Sequence, residues 1–120
     1  MAHYIHLEIY KKAYDFLVYY SHLFVYFQKE YRYTIGEKIM NSIIEFIILI
    51  YKANSSNRND QRLDLLKKMD EKMQYINVSL RLANSLKSIS NEKYLNCANF
   101  TFEIEKQLTG WICYTTKQIV

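Results

Sequence analysis

The chain of 120 residues is half apolar and 16% aromatic, with a formal charge of +4 at pH 7. That composition excludes a disordered chain, and the length suits one folded unit around a single core. Two glycines and no proline argue against a β-rich fold, whose tight turns draw on both. A pI near 9.0 permits a nucleic-acid partner without identifying one.

The first periodic segment predicts a helix from Leu7 to Gln28. Tyr10, Tyr14, Leu17, Ser21 and Phe24 share one face, with Ala13, Phe16, Tyr20, Leu23 and Phe27 beside it. Opposite lies a narrow stripe of Glu8, Lys11, Lys12, Asp15, Tyr19, His22 and Tyr26. Lys29 to Tyr33 breaks the pattern and reads as a loop. Thr34 and Glu37 have the spacing of a capping box, which starts a second helix over residues 35–54.

That second helix is apolar almost all round. Ile35, Ile39, Ile43, Phe46, Ile50 and Ala53 make its core face, while Met40, Ile44, Ile48 and Tyr51 lie roughly opposite. Only Lys38, Asn41, Glu45 and Lys52 give it a polar strip. Such a helix must be covered on nearly all sides, and three partner helices cover one broad face. Self-association is the simplest remedy.

Asn54 to Asn59 is a polar turn cluster. A third helix follows over residues 60–87, with Leu66, Met69, Met73, Ile76, Leu80 and Ala83 as its main seam. Tyr75, Val78, Leu82 and Leu86 form a second seam. Tyr75, Val78 and Leu82 join Met40, Ile44, Ile48 and Tyr51 as the expected oligomer contacts. Ser90 is positioned to cap a fourth helix over residues 91–115, with Tyr94, Cys97, Thr101, Ile104, Leu108, Trp111 and Ile112 inward. Four helices with short loops predict one domain over residues 1–120, an all-α antiparallel up-down-up-down four-helix bundle.

No catalytic or metal constellation stands out, and no cofactor is called for. His3, His6 and His22 belong to no ligand motif of paired helices. The acidic residues Asp60, Asp64, Asp70 and Glu71 alternate with cations and read as solvated pairs such as Asp64–Lys68. Cys97 and Cys113 stand roughly 24 Å apart along one helix, too far to bridge. The start of the chain lacks a basic region followed by an apolar run, and the most apolar stretch, Ile39 to Tyr51, is too short and polar to span a bilayer. A cytoplasmic protein with no membrane role is expected.

The cations are distributed more tellingly. Lys72, Arg81 and Lys87 follow one another with no intervening acid. In an up-down bundle the first and third loops share one end, which gathers Lys29, Arg32, Lys87 and Lys93, offset partly by Glu30 and Glu92. Copies arranged in a ring would sum these charges into a field to which phosphate backbones respond. Arg32, Lys72, Arg81, Lys87 and Lys93 are therefore the candidate residues for nucleic-acid or partner binding.

Several pieces of the chain form an ordered set. Arg32-Tyr33-Thr34-Ile35-Gly36-Glu37-Lys38-Ile39 resembles the start of helix two in the accessory variability determinant (Avd) proteins of diversity-generating retroelements. Ala53-Asn54, Leu80-Arg81-Leu82-Ala83, Ser90 to Tyr94, Glu103-Ile104-Glu105 and Gly110-Trp111 match in order, so the resemblance spans about residues 10–116. It implies a homopentameric, non-enzymatic accessory protein that binds the element's reverse transcriptase and RNA or DNA during mutagenic copying. One departure is a charge-neutral fourth helix, with Lys93, Lys106 and Lys117 against Glu92, Glu103 and Glu105. The alternative is a bundle like those encoded in intervening sequences of ribosomal RNA, acting as a structural or protein-interaction module without nucleic acid.

Overall fold

Four stretches carry an apolar residue every three or four positions, and each folds as a long helix. The computed structural model describes residues 3–119. A 3₁₀ turn, Tyr4–His6, precedes α1 (Glu8–Phe24) and the one-turn α2 (Lys29–Tyr31). A π-helical turn, Arg32–Gly36, then leads into α3 (Glu37–Ser55), α4 (Asn59–Ser85) and α5 (Asn91–Gln118). Among the described residues there is no strand.

The long helices pack in chain order, and α5 returns to α1. Cross-helix bonds fix their directions. Tyr19 pairs with Asn96 and Lys12 with Glu103, so residue numbers rise on α1 as they fall on α5. The result is the expected antiparallel up-down-up-down four-helix bundle, 49 × 22 × 22 Å. Its core is one row from each helix: Ile9, Ala13, Phe16, Tyr20 and Leu23; Ile39, Ile43, Phe46 and Ile50; Leu66, Met69, Met73, Ile76 and Leu80; Cys97, Ile104 and Leu108. On α1 the Ala13–Phe16–Tyr20–Leu23 row is therefore the core, and the Tyr10–Tyr14–Leu17 row lies at its edge.

The first corner differs from expectation. α1 stops at Phe24, and residues 29–36 are helical rather than a loop. No capping box forms, because Thr34 lies inside the helical turn Arg32–Gly36 and an N-cap residue needs an extended backbone. The Thr34 hydroxyl instead donates back to the Tyr31 carbonyl at 3.3 Å and the Glu30 carbonyl at 3.4 Å. Two side chains, Tyr20 and Arg32, hold this corner. The Tyr20 hydroxyl, fully buried, donates to the Gly36 carbonyl at 2.8 Å. The Arg32 guanidinium donates to the carbonyls of Val25 at 2.9 Å and Phe27 at 3.2 Å, satisfying acceptors that the end of α1 leaves open. Gly36 is required by space here: a Cβ would meet the Phe27 ring at 3.0 Å and the Phe24 ring at 3.2 Å.

Arg62 does for α3 what Arg32 does for α1. Its Nε and terminal nitrogen donate to the carbonyls of Ala53 at 2.8 Å and Ser56 at 2.6 Å. Beside it, the Arg58 guanidinium pairs with Asp60 and holds its carboxyl below the usual range. The expected Asp64–Lys68 pair is not among the ion pairs of the described residues, since two exposed side chains lose more freedom by pairing than water charges for keeping them apart.

The third corner is a Schellman motif. Lys87 takes the left-handed position with φ 64°, its N–H bonds the Asn84 carbonyl at 3.0 Å, and the Ser88 N–H bonds the Ala83 carbonyl at 2.9 Å. The Asn84 side chain braces the turn against the Ile89 carbonyl and Asn91. Ser90 caps α5 as expected, its hydroxyl oxygen accepting from the Lys93 N–H at 3.2 Å.

Candidate interaction surfaces

Burying one row per helix leaves the second rows of α1, α3 and α4 to the outside. On α3, Ile44, Ile48 and Tyr51 are 41%, 47% and 50% exposed. They lie on the α1 side of the helix. Met40 accepts a hydrogen bond from Ser21 on α1, and the Tyr51 ring meets the Tyr4 ring edge-on at 5.2 Å. Tyr4 also packs on Tyr10, which stacks with Tyr14, so tyrosines extend this face onto α1. Val18 and Tyr14 continue it as half-exposed groups. A small cavity of about 230 Å³ opens among Tyr4, Ile47, Ile48 and Tyr51.

The second seam of α4 is separate. Tyr75, Val78 and Leu82 are 47%, 70% and 45% exposed on the outer side of that helix. Between the two apolar faces runs the polar strip of α3, closed by a 2.6 Å bond from the Lys72 ammonium to Glu45. The residues expected at subunit contacts thus form two faces divided by a charged seam.

The five candidate cations divide as well. Arg32 is occupied at the end of α1, and its Nε is buried without a partner. Lys72 is held by Glu45 beside the Tyr75 ring. Arg81 lies nine residues further along α4, roughly half a turn round from Lys72, so Lys72, Arg81 and Lys87 share no face. Arg81, Lys87 and Lys93 are exposed, and their side chains enter no bond or ion pair among the described residues. Lys87 and Lys93 flank the turn between α4 and α5, at the bundle end that carries the Arg32 corner.

Among the described residues no three His, Cys, Asp or Glu side chains converge as a metal site would require. The one buried thiol, Cys97, is pushed up to about 12 by desolvation, and the Tyr20 phenol is raised by desolvation and by its nearness to Cys97. Both are protonated core groups at neutral pH. Cys113 is exposed and free. No described helix is long and apolar enough to cross a membrane.

One groove was not foreseen. Between α1 and α5, a cleft of about 450 Å³ is lined by Lys12, Asp15, Tyr19, Asn96, Asn99, Phe100 and Glu103. Its sequence signal is Lys12, Asp15 and Tyr19 on one helical face, opposite Asn96, Asn99, Phe100 and Glu103 on another. Single polar positions on an amphipathic wheel read as solvated until the facing helix is known.

The profile of the bAvd-like family matches residues 7–115. The chain belongs to that family. No curated protein matches it. Membership supports the role of an accessory protein in a diversity-generating retroelement, and Avd-like accessory proteins are in general non-catalytic. In this bAvd-like chain the exposed features are two apolar faces, the cations around the turn between α4 and α5, and the polar groove between α1 and α5.

Proposed function

We propose that this bAvd-like protein is a non-enzymatic, cytoplasmic accessory subunit that assembles with copies of itself and binds the reverse transcriptase and nucleic acid of a diversity-generating retroelement. The observation that carries the reading is the uncovered apolar surface of α3, where Ile44, Ile48 and Tyr51 stay about half exposed although every long helix already has two neighbours. Isolated exposed apolar side chains are ordinary, but a continuous face of isoleucine and tyrosine is the composition of a protein interface. In this reading Met40, Ile44, Ile48 and Tyr51 of one copy meet the Tyr75, Val78 and Leu82 face of another, and the assembly is a pentamer.

RNA or DNA then engages the end of the bundle that bears Lys87 and Lys93, with Arg81 on the adjoining stretch of α4. Arg32 and Lys72 act there chiefly by holding the corner and the α3–α4 seam in place. Closing copies into a ring brings several such ends together, and phosphate attraction grows with the summed charge.

Light scattering of the wild-type protein should give a mass several times that of one chain. Ile44→Glu and Ile48→Glu should each return the single-chain mass while helical circular dichroism is kept, because half-exposed sites cost little to the monomer. A wild-type protein that is monomeric at micromolar concentration sinks the assembly. Binding to a single-stranded RNA or DNA oligonucleotide should weaken steeply with salt and weaken further on Arg81→Glu and Lys87→Glu. Affinity indifferent to both sinks the nucleic-acid role and leaves a purely structural bundle.

A further inference from the structure

We propose that the groove between α1 and α5 receives an arginine side chain of a protein partner. This deepens the reading of the chain as a binding subunit by naming what one of its sites recognises.

Four observations lead there. The groove has an aromatic wall: the inner side of Phe100 stacks on Phe16 with centroids 5.6 Å apart, and Tyr19 tilts against the same ring at 5.3 Å. A flat cation is attracted to such rings, and a guanidinium stacks on them better than an ammonium. The lining carries two carboxylates, Asp15 and Glu103, and one ammonium, Lys12; Lys12 and Lys106 both lie on the Glu103 side, which leaves the Asp15 carboxylate as the acceptor without a cation. Asp15 has no ion pair or hydrogen bond among the described residues. Glu103 is held only by long contacts, 3.8 Å to Lys12 and 3.9 Å to Lys106.

Polar geometry supplies the rest. The Asn96 side chain already donates to the Tyr19 hydroxyl at 2.9 Å, which fixes that amide and leaves its carbonyl oxygen to accept. Asn99 stands one turn away with no bond of its own in the described structure. A guanidinium has five donors and no acceptor, so it matches a site made of two carboxylates and amide oxygens over an aromatic face. A cleft of about 450 Å³ is of the size that holds a small ligand or one long side chain. The unpaired Asp15 carboxylate disfavours a phosphate or nucleotide. Lys12, the groove's own cation, sits where it competes with the newcomer.

The test uses the full chain and N-acetyl-arginine amide, with the citrulline and lysine analogues beside it, followed by NMR on the side-chain amides of Asn96 and Asn99. Arginine amide should shift those signals saturably, citrulline amide should not, and lysine amide should bind more weakly. Asp15→Asn and Glu103→Gln should each weaken binding about two- to fivefold, the range of exposed ion pairs, and the double variant about tenfold. Lys12→Ala should strengthen it. Backbone spectra unchanged outside the groove verify that each variant is folded.

The inference is overturned if arginine and citrulline amides act alike, if a dinucleotide shifts the same amides, or if the variants leave the affinity unaltered. It is also overturned if the groove signals move with protein concentration alone, since a second copy of the chain is then the occupant. The measurement needs neither nucleic acid nor a partner enzyme. A monomeric chain that still takes arginine here contradicts the proposed assembly only, and an assembled chain that ignores arginine contradicts this site only.

Discussion

The buried thiol of Cys97 makes the stability of this protein fall in alkali, and the structure sets how far. The side chain has no exposure, and desolvation pushes its proton affinity up to about 12 from an ordinary 9.0. Above pH 9 the unfolded chain releases that proton while the folded chain keeps it. Fewer protons are then bound in the unfolded state, so stability present below pH 9 is lost as pH rises, by about 1.4 kcal/mol per unit. From pH 9 to 11 Cys97 alone removes about 2 kcal/mol, and Tyr20, raised by the same burial, adds to the loss above pH 10. Against a typical total of about 5–15 kcal/mol this is a large share. Thermal melts followed by circular dichroism between pH 8 and 11, with reductant present, would measure it. Cys97→Ala should begin less stable by about 1–2 kcal/mol because of the lost volume, yet lose almost nothing between pH 9 and 10. Comparing the variant with the wild type isolates the contribution of this one thiol. Parallel decline of wild type and Cys97→Ala would refute the reasoning.

Further outcomes follow from single positions. Lys87→Gly should stabilise the fold by about 0.5 kcal/mol in urea unfolding, because φ 64° favours glycine while the lost cation at the end of α4 takes back part of the gain. Gly110→Ala should add about 1 kcal/mol, since its Cβ enters open space on a helix, whereas Gly36→Ala should cost about 1–2 kcal/mol by pressing on the buried Phe27 ring. Equal effects at the two glycines would contradict the packing. Arg62→Ala should cost about 1–2 kcal/mol by freeing the carbonyls of Ala53 and Ser56, and Arg62→Lys should recover little, because an ammonium cannot span both acceptors as the fork does.

The core was readable because helical periodicity depends on each segment alone. Ile39, Ile43, Phe46 and Ile50 repeat every three or four residues, and so do Leu66, Met69, Met73 and Ile76, and all eight are buried. The surplus rows of α3 and α4 were readable for the same reason. The first corner was not. Thr34 and Glu37 have capping-box spacing, but Tyr20 reaches Gly36 from sixteen positions away and Arg32 reaches back seven positions to Val25, and their bonds carry the helix through the corner. The partners of two candidate cations were hidden in a related manner. Arg32 and Lys72 count as cations in the sequence, while in the fold one closes a helix end and the other meets Glu45. The groove between α1 and α5 joins residues more than seventy positions apart, as in the Tyr19–Asn96 bond, and no local pattern announces such a meeting.

The Glu45–Lys72 seam has a geometric corollary for any assembly of this chain. Two copies related by a two-fold axis press identical surfaces together and stop at a pair. When the faces that meet are different, each added copy presents a fresh unused face, and growth ends only where the turn from one copy to the next divides a full circle. In the proposed assembly the bearing of α4's outer side relative to the α1–α3 edge would therefore set how many chains close. A shift of a few degrees in that bearing would trade a closed ring for a helical fibre.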